Sequence, residues 1–146
     1  FRSDGSDRMS LRIKAGGSLH PTSKDTLEKG WHNIHQDGKT VFKYAVSEMS
    51  TVTKEIMKRN QLDKESIDYL VPHQANKRIV DATTKRLDLN PSKVMMNIEY
   101  YGNTTAATLP LLLKDYEKKL KTGDKLVFAA FGGGFSWGAA YLTWAY

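Results

Sequence analysis

The sequence predicts an α/β fold: a mostly parallel sheet with an antiparallel hairpin at one edge. Two short apolar runs, Ile67–Val71 and Val94–Ile98, each lead into a stretch of helical periodicity. A third, Lys125–Ala130, leads instead through Gly132-Gly133-Gly134 to another apolar run at Trp137–Trp144. Strands alternating with helices call for parallel pairing and right-handed crossovers. A pair linked by a short glycine turn is antiparallel.

Taken in order, Met9, Leu11, Ile13 and Ala15 alternate with polar residues, as in a half-buried strand. Residues 16–38 lack periodicity and contain Gly, Ser, Pro and Asp, so they are expected to form a loop. Its histidines, His20, His32 and His35, lie outside any helix signal and are expected to be solvated rather than metal ligands. From Thr40, the positions Val41/Phe42, Ala45/Val46, Met49, Val52 and Ile56 mark an amphipathic helix. It should end at Asn60, a residue type suited to a left-handed cap. Helices are expected over 76–87, after the first strand, and over 105–120, after the second, where Pro110 falls in the first turns.

Of 146 residues, 40% are apolar and 26% charged, in keeping with a globular domain large enough to bury a core. The absence of cysteine excludes disulfides, thiolate metal sites and a cysteine nucleophile supplied by this chain. No apolar run is long enough to span a bilayer and no signal-peptide pattern opens the sequence, so the expected location is cytoplasmic. The chain begins at Phe1, and a fragment or processed product is expected. A net charge of +6 favours an acidic partner, without distinguishing a nucleic acid from an acidic protein or a phosphorylated ligand.

Three stretches stand at strand ends, where ligands bind in open α/β sheets. They are Val71-Pro72-His73-Gln74-Ala75-Asn76, Tyr101-Gly102-Asn103-Thr104-Thr105 and Phe131-Gly132-Gly133-Gly134-Phe135. A neutral imidazole (His73) and a side-chain amide (Asn103) can each donate a hydrogen bond without adding net charge. Aimed at one carbonyl oxygen, they would stabilise an enolate or a tetrahedral intermediate. The glycines can expose backbone N–H groups to a ligand oxygen, and the lack of a following Lys-Ser/Thr excludes a Walker loop. Each feature has a plainer alternative: a structural histidine, a capping asparagine, a tight hairpin turn. On the helix after His73, Arg78 and Lys85 share one face and Arg86 flanks it, while Ile79, Val80, Thr83 and Leu87 face the other way. Such a face is either solvated or a docking surface.

Together these stretches resemble the β-ketoacyl-acyl carrier protein synthase III family of the thiolase superfamily. The resemblance runs from about Asp37 to Tyr146 and rests on the His73 and Asn103 stretches together with Phe131–Gly138. It implies a thiolase-like fold, this chain being the C-terminal half of a five-layered α-β-α-β-α arrangement. Residues 1–38 would end the N-terminal half and form the connecting loop, and residues 39–146 would form the C-terminal domain. The family's Cys-His-Asn triad puts its histidine at His73 and its asparagine at Asn103, with the cysteine in the other half.

The implied reaction is a decarboxylating Claisen condensation of a short acyl-CoA with malonyl-acyl carrier protein, which starts fatty acid synthesis. Gly133 N–H would contribute to the oxyanion hole. Phe42 and Asn76 would line the channel for the phosphopantetheine arm, and Lys43, Arg78, Lys85 and Arg86 would dock the carrier protein. No cofactor stays bound and no metal is implied. The expected partners are the carrier protein, the cysteine-bearing N-terminal half and a second copy of the whole enzyme, with neither nucleic acid nor membrane. Alone, the chain is expected to be inactive. Related ketosynthases that use acyl-CoA for polyketide, quinolone or long-chain ketone synthesis share the triad. A non-catalytic basic binding module is the competing class, but no nucleic-acid recognition motif or row of exposed aromatics accompanies the charge.

Overall fold

The computed structural model describes residues 1–146. Its elements are β1 (Arg2–Ser3), β2 (Leu11–Ile13), α1 (Lys24–Glu28), β3 (Ile34–Gln36), α2 (Gly38–Arg59), β4 (Tyr69–Pro72), α3 (Lys77–Leu87), α4 (Ile98–Tyr101), α5 (Thr108–Tyr116), β5 (Lys125–Gly132) and β6 (Ser136–Thr143). No helix is long and apolar enough to cross a membrane.

The main sheet has the order β1-β6-β5-β4. β4 runs parallel to β5, with Pro72 opposite Ala129, and β5 pairs antiparallel with β6 across the glycine turn. β1 covers only Ser136 and Trp137, so most of β6 is the sheet edge. Alternation along the strands divides the core between two faces. Leu70, Val127, Ala129 and Phe131 pack with Val41, Ala45 and Met49 of α2 and Ile79 and Val80 of α3. Val71 and Leu126 point to the opposite face and pack with Leu112 of α5, Met95 and Leu120. The sheet is thus sandwiched between α2/α3 and α5.

Helix α2 follows the apolar period read from the sequence, with Val41, Ala45, Met49, Val52 and Met57 buried. It begins at Gly38 rather than Thr40 because Asp37 caps it, its carboxylate accepting from Lys39 N at 3.1 Å and Thr40 N at 3.2 Å. Its end differs from the left-handed cap expected at Asn60. Asn60 has φ −103°, its Nδ2 donates to Ile56 O at 2.8 Å, and Gln61 takes the positive φ of 55°.

Three further expectations are corrected. The strand over 9–15 shrinks to β2, which pairs with β3 in a separate two-stranded ribbon. The loop over 16–38 therefore holds β3, and it also holds α1, capped reciprocally by Ser23 and Thr26. Within it His32 Nε2 meets Thr26 Oγ1 at 3.1 Å and His20 packs edge-on against Trp31. The helix over 105–120 is divided into a 3₁₀ turn at Thr105–Ala107, α5, and a second 3₁₀ turn at Glu117–Lys119. Thr105 has φ +54°, which interrupts the helical run, and Pro110 sits where the first turn leaves N–H groups without helical partners.

The strand over 94–98 is reduced to a single parallel bridge, Leu70 to Val94, with Met95 N donating to Leu70 O at 3.0 Å. The reason lies in β4. His73 N points to β5, donating to Ala129 O at 2.8 Å, so the nitrogen of Pro72 faces the Met95 side and has no proton to give. The ladder stops there. The buried amide of Gln74 replaces it, donating to Pro72 O at 2.9 Å and Met95 O at 3.4 Å and accepting from Asn97 N at 3.3 Å. Below this point Lys93 Nζ holds the approach to β4 through Glu65 O and Ile67 O, each at 2.7 Å.

Candidate active site

β4, β5 and the segment bridged at Val94 run in one direction, so their C-terminal ends lie on one side of the sheet. His73 follows β4, the Gly133–Phe135 turn follows β5, and Asn103 follows the bridged segment through α4.

His73 is half-buried. Its Nδ1 lies 2.7 Å from Oγ1 of Thr108, the first residue of α5, while Nε2 has no partner within the chain. Burial lowers the pKa of His73 from its ordinary 6.5, and no charged side chain contributes to the shift. The ring is therefore neutral at pH 7.

Asn103 is exposed, its Oδ1 accepting from Thr105 N at 2.9 Å and its Nδ2 unpaired within the chain. The turn it makes is the plainer role foreseen for it, yet it leaves the amide donor free. Gly102 precedes it at φ +66°, a conformation that favours glycine at this sharp exit from α4. Helix α4 is fixed by α5: Asn97 Nδ2 donates to Asp115 Oδ2 at 2.8 Å and Tyr101 OH donates to Asp115 Oδ1 at 3.2 Å. α5 thus touches His73 through Thr108 and the root of the Asn103 loop through Asp115.

The glycine turn is rigid for a different reason. Phe135 is fully buried, 4.9 Å from Phe131 and 5.1 Å from Tyr44 between ring centroids, and it exchanges both backbone hydrogen bonds with Asp4. Gly134 has φ +143°, and a Cβ there would lie 2.7 Å from Ser136 Oγ and 3.0 Å from Ser136 N. The N–H of Gly133 makes no hydrogen bond within the chain.

The family model for the C-terminal region of 3-oxoacyl-[acyl-carrier-protein (ACP)] synthase III matches residues 57–144, more than half of the chain. The chain belongs to this family. All 146 residues align, at 54% identity, with a protein of Bacteroides thetaiotaomicron named β-ketoacyl-[acyl-carrier-protein] synthase III 1, and cover 44% of that protein. A synthase III crystal structure from Pseudomonas aeruginosa superposes with a TM-score of 0.87 at 34% identity, over 99% of this chain and 44% of that one. The corresponding structure from Thermus thermophilus gives 0.84 at 35%, over 99% and 44%. The chain therefore spans under half the length of the relatives it matches, and its fold is the thiolase-like one expected from the sequence.

The other residues singled out in the sequence lie on α2, on α3 and at the N-cap of α3. Lys43, Arg78, Lys85 and Arg86 are all exposed, and none forms an ion pair within the chain, whereas Lys77 pairs with Asp81 at 2.8 Å. The apolar side of α3 is buried as predicted, at Ile79, Val80, Thr83 and Leu87. The guanidinium of Arg78 lies 5.6 Å from the ring centroid of Phe42, bringing the starts of α2 and α3 together. Asn76 caps α3, its Oδ1 accepting from Arg78 N at 2.9 Å. Sequence reasoning missed Thr108 and Asn97, read Asp115 as one of the surface charges interleaved along 114–121, and quoted Gln74 without a role. Only polarity within an apolar stretch marked Thr108 and Asn97.

Proposed function

We propose that this chain is the C-terminal catalytic half of a β-ketoacyl-acyl carrier protein synthase III, working with a cysteine supplied by an N-terminal half. The observation that carries the reading is the presence of three unpaired donors at one end of the sheet: His73 Nε2, Asn103 Nδ2 and Gly133 N–H. The cysteine thiolate attacks the thioester carbonyl of a short acyl-CoA, the bond to the CoA sulfur breaks, and CoA leaves as its thiolate. Malonyl-carrier protein then binds by its phosphopantetheine arm. Its C–CO₂⁻ bond breaks, carbon dioxide leaves, and the electron pair moves into the thioester as an enolate. His73 and Asn103 donate to the enolate oxygen, where their hydrogen bonds strengthen as charge develops. The enolate carbon attacks the acyl-cysteine, Gly133 N–H helps to hold the tetrahedral oxyanion, and the thiolate departs. A neutral His73 is supported by its burial, which lowers its pKa, and a neutral imidazole can donate this hydrogen bond without giving up its proton.

Residues 39–146 form the thiolase-like domain in this reading, and 1–38 close the preceding half. Phe42 and Asn76 line the pantetheine channel, and Lys43, Arg78, Lys85 and Arg86 steer the acidic carrier protein. The whole enzyme is a cytoplasmic homodimer that keeps no bound cofactor, using acyl-CoA as a substrate.

The test is product mass spectrometry with acetyl-CoA and malonyl-carrier protein, using the chain alone, the chain with the cysteine-bearing half, and that pair carrying His73→Ala or Asn103→Ala. Acetoacetyl-carrier protein from the wild-type pair only is the expected result. Product from the chain alone, or undiminished product from either variant, overturns the assignment.

A further inference from the structure

Thr108 is buried, with 2% of its surface exposed, and its hydroxyl has a single partner, His73 Nδ1 at 2.7 Å. A threonine in a helical run can donate to the carbonyl four residues earlier. Here that carbonyl, Thr104 O, already accepts from Thr105 Oγ1 at 2.7 Å and from Ala107 N at 3.1 Å. If Nδ1 carried the ring proton, it would donate to Thr108 Oγ1, and the hydroxyl proton would then have no acceptor in a buried place. An unmade buried hydrogen bond is the costlier alternative. If the hydroxyl donates to a bare Nδ1, both groups are satisfied and the ring proton resides on Nε2.

We propose that Thr108 is the positioning residue for His73: its hydroxyl donates to Nδ1 and so fixes the neutral ring as the Nε2–H tautomer. The inference deepens the function proposed above and rests on it for its catalytic meaning, because only that tautomer can donate to an enolate oxygen. Protonation of His73 would put a second hydrogen between Nδ1 and the Thr108 hydroxyl. It would also place a cation against the first residue of α5, the positive end of the helix dipole. Thr108 thus keeps the ring both correctly oriented and uncharged.

The experiment uses the full-length protein carrying this sequence, labelled with ¹⁵N in histidine. His73 is assigned by comparison with His73→Gln, and long-range ¹H–¹⁵N spectra are recorded across pH. The expected result is an unprotonated Nδ1 and a protonated Nε2 in the wild type; a protonated Nδ1 at neutral pH overturns the proposal, with no variant needed. In Thr108→Val the ring should become a tautomer mixture that titrates at higher pH, and Thr108→Ser should restore the wild-type spectrum. Decarboxylation of malonyl-carrier protein by Thr108→Val should fall about 10- to 100-fold in kcat with little change in KM, the cost of one lost buried hydrogen bond, and Ser should recover most of it. An unaltered tautomer in Thr108→Val, or Thr108→Ser behaving like Val, overturns the positioning role. His73→Gln with undiminished decarboxylation would defeat the functional reading instead, while the tautomer spectra would still decide what Thr108 does.

Discussion

The side-chain amide of Gln74 accepts a hydrogen bond from Asn97 N at 3.3 Å, 23 residues away, and replaces a missing stretch of sheet. It is 1% exposed and also supplies donors to Pro72 O and Met95 O. Gln74→Met fills the space but leaves these groups unpaired, and a destabilisation of about 3 kcal/mol is expected, since each buried group left unmatched costs about 1–3 kcal/mol. Gln74→Glu should cost at least as much, because a buried carboxylate has nothing to donate. Urea midpoints of the two variants check this. A Gln74→Met protein as stable as wild type would show that water makes good the lost bonds.

Gly134 combines a positive φ with crowding, and Gly132 has neither. Gly134→Ala should lose about 1–3 kcal/mol, from a φ of +143° and from the approach to Ser136 N. Gly132→Ala meets nothing within 4 Å and should stay within about 0.5 kcal/mol of wild type. Thermal melts of the pair decide it, and equal losses would contradict the geometry.

Stability should depend on pH through His73. Its folded pKa lies below the ordinary 6.5, so between the two values the unfolded chain binds more protons than the folded one. Stability therefore falls as pH drops below about 6.5, until the folded ring is itself protonated. His73→Gln removes this component, and its denaturation midpoint should change less than that of the wild type between about pH 7.5 and 5.5. Parallel curves for the two proteins would refute the assignment.

Charge reversal on α3 tests the proposed docking surface. Lys85→Glu should lower kcat/KM for malonyl-carrier protein about tenfold at low ionic strength, with the loss shrinking as salt is added. Arg78→Glu should add a component that salt does not remove, because it also uncovers Phe42. Steady-state kinetics at two salt concentrations measure both. An unaffected Lys85→Glu would place the carrier protein elsewhere, or favour a relative that takes its malonyl group from CoA.

The legible part of this molecule was what local pattern encodes. Helix α2 showed itself because 22 residues repeat one apolar stripe. His73 showed itself because a proline stops an apolar run immediately before it. Elements as short as α1 and β3 carry too few residues for a period to emerge. The 94–98 segment has strand-like composition, but its hydrogen bonds are taken by the Gln74 side chain, which composition does not record. Thr108 was invisible for a related reason. Its partner is 35 residues away, and the two meet only when α5 lies across the end of β4.

The two tethers of α5, Thr108 to His73 and Asp115 to Asn97 and Tyr101, close a loop of contacts around residues 97–116. Such a loop does not fray from one end. Leu112 holds the same helix to Val71 and Leu126, so neither end is released alone. The segment should therefore open and close as one cooperative unit, and a change made anywhere along it would reach the chemistry as a shift in how often both donors are present together.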